Sequence, residues 1–138
     1  MMYTDIPKPL NLKSPEVCDY GGMYAELIAK NIFPEDNEKL WFVAMYRLLK
    51  YAIMYVKNCN RDMEYTEGYR TTMLDVIKYL ACRDTDEISS DIDNFDIEKH
   101  PDMTECIETG RIWNSLPDVT KKATRDIAVA RLSKELTI

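Results

Sequence analysis

Residues 40–56 read LWFVAMYRLLKYAIMYV, and this stretch decides the fold. Only Arg47 and Lys50 interrupt its apolar and aromatic side chains. A helix that is apolar nearly all round is buried, either in a protein core or in lipid. Crossing a bilayer takes about 20 apolar residues, and two cations near the middle of a shorter stretch are costly there. The reading that fits is the central helix of a bundle over residues 35–58, with Arg47 and Lys50 snorkelling from one edge.

Helical signals continue on both sides. Pro7, Pro9 and Pro15 predict an extended arm over residues 1–14. Ser14-Pro15-Glu16 is a helix start, with a capping hydroxyl, proline at the first position and then an acid. Val17, Tyr20, Tyr24, Leu27 and Ile28 share one face of that helix, Gly21-Gly22 should kink it, and Pro34 ends it. Beyond the central helix, Asn58-Cys59-Asn60 reads as a turn. Tyr65, Tyr69, Met73, Val76, Ile77 and Leu80 then form one amphipathic stripe on a helix ending near Arg83.

Asp102-x-x-Glu105 has the form of a capping box opening a short helix with Met103, Ile107 and Trp113. Ser115-Leu116-Pro117-Asp118 starts a last helix to about Leu136. No convincing strand alternation appears. The expected fold is all-α, one domain over residues 1–138, with about five helices around residues 35–58. An acidic connecting segment, 84–101, precedes the last two helices.

Composition narrows the function classes. The chain has 138 residues, enough for one domain with a core of its own. Its four cysteines, Cys18, Cys59, Cys82 and Cys106, make no C-x-x-C pair, and the sole histidine, His100, has no second histidine to complete a zinc site. The opening Met1-Met2-Tyr3-Thr4-Asp5 has neither a basic leader nor an apolar signal core. Reduced thiols in a cytoplasmic protein are therefore expected, with no cofactor and no membrane partner.

The charge is local. Asp84, Asp86, Glu87, Asp91, Asp93, Asp96, Glu98, Asp102, Glu105 and Glu108 face a single Lys99, so residues 84–108 carry net −9. Residues 1–83 balance, and residues 109–138 come to +3. One-sign fields act on partners more than on fold. Ile88, Ile92, Phe95 and Ile97 interrupt the run and point to an ordered segment. Asp84, Asp86, Glu87, Asp91, Asp93, Asp96 and Glu98 are accordingly the candidate partner-binding residues. The expected partner is a protein with a basic surface or groove, of the kind that otherwise holds nucleic acid. The chain then reads as a small inhibitor or regulator, phage- or mobile-element-like, that mimics nucleic acid and binds none itself. Neutralising Asp91, Asp93 and Asp96 together is expected to weaken binding and leave the fold intact.

Other chemistries have weaker support. Glu35-x-x-Glu38 and Glu64-x-x-Glu67 place paired acids one turn apart on consecutive helices, a pattern that can hold Mg²⁺ with substrate phosphates. The layout is similar to that of all-α nucleotide pyrophosphohydrolases, with the last acid of the pattern altered. It implies an alternative as a metal-dependent nucleotide hydrolase using these four residues. Asp91–Glu98 lacks the glycine and the twelfth-position glutamate of a calcium loop. His100 sits among acids that favour its charged form, so it is a poor base for Cys106.

Lys121, Lys122, Arg125, Arg131 and Lys134 give the last helix a cationic face. A helix-turn-helix reader is one interpretation; the acidic total favours a solvated face or pairing with the acidic stretch, in the same chain or a second copy. Nine tyrosines and eight methionines, with the pairs Tyr20/Tyr24, Tyr51/Tyr55 and Tyr65/Tyr69, leave a self-associating assembly protein as a third class.

Overall fold

A computed structural model describes the backbone of residues 39–136 and the side chains of residues 43–134. The extended arm, the helix expected from Ser14 and the start of the central helix at Glu35 lie outside the described residues. Among those described there are six α-helices, one 3₁₀ turn and no strand. The helices are α1 (Lys39–Cys59), α2 (Arg61–Glu67), α3 (Met73–Cys82), α4 (Thr85–Asp93), α5 (Thr104–Asn114) and α6 (Asp118–Leu136). The 3₁₀ turn, Pro101–Met103, leads into α5. The fold is all-α, as the apolar central stretch predicts, and no described helix is long and apolar enough to cross a membrane.

The physical centre is α1. Leu48, Leu49, Tyr51, Ala52 and Ile53 are fully buried, and Ala44, Met45, Met54 and Val56 nearly so. It packs against α3, α5 and α6, which close around it because each presents one apolar stripe. Those stripes are Met73, Val76, Ile77 and Leu80 on α3, Cys106, Ile107 and Trp113 on α5, and Ala128 and Leu132 on α6. At about 25 cal/mol per Å² of apolar surface, each fully buried Leu or Ile contributes roughly 1.5–3 kcal/mol. Lys50 stays at the edge as expected and reaches Glu105 at 3.2 Å.

Gly110 of α5 lies where α1 and α4 pack tightly against that helix. A Cβ there would stand 2.8 Å from Cδ1 of Tyr51 and 3.0 Å from Cδ1 of Ile92. Glycine thus lets α1 and α4 both approach α5, and Trp113, one turn on, fills the space beside α6. The Trp113 indole Nε1–H donates to Thr124 Oγ1 at 3.0 Å, so the largest buried side chain has no orphaned donor.

Two local expectations are corrected. The stripe from Tyr65 to Leu80 is two helices. Gly68 adopts φ +70° and ends α2, and Thr72 starts α3 with its N–H donated to the Asp75 carboxylate at 3.0 Å. Tyr65 therefore stands 89% exposed and Tyr69 is exposed as well, outside the core stripe. The second correction is at Asp102 and Glu105. They form no capping box: the chain enters α5 through the 3₁₀ turn Pro101–Met103, so Asp102 lies inside that turn and Met103 holds the cap position, while Asp102 pairs with Arg61 at 2.9 Å and Glu105 with Lys50.

Candidate interaction surface

The acidic stretch is built into the fold. Asp84 caps α4 by accepting the Glu87 N–H at 2.9 Å, while the Glu87 carboxylate takes the Asp84 N–H at 3.0 Å. This reciprocal box satisfies donors at the helix start and puts two carboxylates where the helix dipole favours them. Ile88 and Ile92 are fully buried, and Phe95 and Ile97 pack against the core as the chain turns toward Pro101. Acids alternate with these anchors, so the backbone is held down while carboxylates stand outward.

The ten acids divide into groups with different jobs. Asp91, Asp102 and Glu105 are ion-paired to Arg83, Arg61 and Lys50. Asp84 and Glu87 cap the helix. Asp93 accepts from Asn114 Nδ2 at 3.0 Å, and Asp96 from the Lys99 N–H at 3.2 Å. Asp86, Glu98 and Glu108 are exposed and have no partner among the described residues. Subtracting the three ion-paired acids leaves seven carboxylates that form no ion pair among the described residues.

Asp91 is the exception within the candidate set. Its Oδ2 accepts from Arg83 Nε at 2.7 Å and from the Tyr79 hydroxyl at 2.7 Å, and its Oδ1 accepts from Arg83 Nη2 at 2.7 Å. The Tyr79 hydroxyl also meets that of Tyr51 at 2.9 Å, so a polar chain runs from the centre of α1 to the surface. Tyr55 stacks between, with ring centroids 5.3 Å from both Tyr51 and Tyr79. Burial pushes the Tyr51 and Tyr79 hydroxyls far above the ordinary tyrosine range, and the Asp91 hydrogen bond and charge raise Tyr79 further. The Asp91 hydrogen bonds also raise Arg83, which holds its proton more firmly.

This chain could not be assembled from sequence, although one signal was present. Ile88, Asp91 and Ile92 share one helical face, which places Asp91 beside two core residues. Neutralising Asp91 with Asp93 and Asp96 would therefore damage the fold as well as any binding.

The other candidate residues that the structure describes are engaged within the fold or exposed. Glu64 accepts Lys57 Nζ at 2.8 Å and the Thr71 N–H at 3.1 Å, in a largely buried pair that ties α1 to the α2–α3 junction. Glu67 is exposed, and Glu35 and Glu38 lie outside the described residues. Among the described residues, no three His, Cys, Asp or Glu side chains converge as metal ligands. His100 is exposed with its ring 5.7 Å from Phe95. Cys106 is buried and its thiol donates to the Tyr51 carbonyl at 3.6 Å, with burial raising its pKa. A buried thiol shifted in that direction is a poor nucleophile.

The cations of α6 are partly structural. Lys121 is buried, with Nζ 3.0 Å from Asn114 Oδ1, 3.2 Å from Ser89 Oγ and 5.8 Å from the Trp113 ring centre. Arg125 donates to the carbonyls of Leu80 and Ala81 at 3.0 Å and of Arg83 at 3.1 Å, capping the C-terminal end of α3. Lys122, Arg131 and Lys134 remain exposed. Lys121 does reach the acidic stretch, through Ser89. Its carboxylate neighbour is Asp118 of its own helix, at 3.7 Å.

Two surface grooves flank the tyrosine chain. One, of about 410 Å³, lies between α1 and α3 and includes Tyr55, Cys59, Lys78 and Tyr79. The other, of about 330 Å³, includes Cys59, Arg61, His100 and Asp102. Comparison with models of known protein families, with curated proteins and with solved structures finds no match.

Proposed function

We propose that this chain acts by binding, using the carboxylates of its acidic stretch to engage a cationic site on another macromolecule. The observation that carries this reading is the anchored segment 84–108, on which seven carboxylates form no ion pair among the described residues. Like charges this dense repel one another and lower stability, and a basic partner relieves that cost. Burial of Ile88 and Ile92 and the capping of α4 pre-arrange the acids, so less ordering entropy is lost on docking.

In its specific form, the acids stand in for phosphates in a basic groove of a nucleic-acid-handling protein, and the chain is its inhibitor or regulator. Duplex DNA carries about one charge per 1.7 Å of axis, and a groove shaped for it attracts closely spaced carboxylates. Steering would raise the on-rate and added salt would lower affinity. Free thiols at Cys59, Cys82 and Cys106 fit a reducing, cytoplasmic setting.

The test is affinity capture from host lysate with low- and high-salt washes, run beside the variant Asp86→Asn/Glu98→Gln/Glu108→Gln. These three acids have no partner among the described residues, so its melting temperature should not fall below that of the parent. A protein eluted by salt and missed by the equally folded variant is the expected result. A partner indifferent to both salt and substitution, or no partner, would overturn the proposal.

A further inference from the structure

We draw no further inference here: the strongest candidate, the tyrosine-lined groove of about 410 Å³ between α1 and α3, sets Asp75 against Lys78 and has Arg83 already neutralised by Asp91, so nothing in the structure shows what covers it.

Discussion

Replacing Asp91 by asparagine tests the division of the acids into structural and outward groups. The side chain keeps its size, but every polar neighbour is a donor: Arg83 Nε, Arg83 Nη2 and the Tyr79 hydroxyl. Asparagine offers one oxygen and turns its NH₂ toward donors, so part of the cluster loses its acceptor. A hydrogen bond to a charged group contributes about 1.5–3 kcal/mol, and several around one carboxylate do not simply add. The Arg83 side chain is 36% exposed and water recovers part of its loss, whereas Asp91 is only 15% exposed. The expected cost is about 2–3 kcal/mol, which for a chain of this size lowers the melting temperature by roughly 10 °C.

Asp86→Asn, with no partner among the described residues to lose, should stay within about 0.5 kcal/mol of the parent. Urea melts of Asp91→Asn, Arg83→Met and the double variant would give a coupling energy of roughly 1–2 kcal/mol. If Asp91→Asn unfolds at the same urea concentration as Asp86→Asn, the polar chain does not support the fold and the assignment of Asp91 fails.

Three further outcomes follow from the packing. Gly110→Ala would gain about 1 kcal/mol in an exposed helix, but here the new methyl meets the fully buried Tyr51 ring at 2.8 Å. Overpacking of about 1–3 kcal/mol should make the variant less stable than the parent, and a rise in its melting temperature would show that α5 and α1 do not cross so closely. Alkaline pH should unfold the protein. Tyr51, Tyr55 and Tyr79 have folded pKa values raised above 10.0, so the unfolded chain loses protons first and stability falls as pH rises above about 10. The slope is up to about 1.4 kcal/mol per pH unit for each group, and Tyr79→Phe should make it shallower in melts followed by circular dichroism. Alkylation mapped by mass spectrometry should label Cys59 and Cys82 in the native protein and Cys106 only after unfolding; early labelling of Cys106 would contradict its burial.

Much of the architecture was legible because it depends on neighbours within a turn or two. Residues 40–56 are too apolar to be a surface helix and too short and charged to span a bilayer, which left a core helix and hence an all-α fold. Ile88, Ile92, Phe95 and Ile97 hinted at order in the acidic stretch without deciding it, and their burial in the fold is what anchors the segment. The helix break at Gly68 was missed because apolar spacing carries across it, although the left-handed turn it supports does not continue a helix.

What the sequence could not decide is which charges face water. Asp91 looked like the other acids, Lys121 and Arg125 like the other cations of α6, and Glu64 like half of a metal pair. Each is instead bound by groups brought close by helix crossings: Arg83 and Tyr79 for Asp91, Lys57 for Glu64, Ser89 for Lys121, and the end of α3 for Arg125. Hydrophobic periodicity, as a property of the chain itself, determined the helices and the buried stripe of each. The distances between those charges depend on how the helices pack, as where Gly110 leaves room for Tyr51 and Ile92. Only the tertiary structure therefore separated the acids that hold the protein together from those that form no ion pair among the described residues.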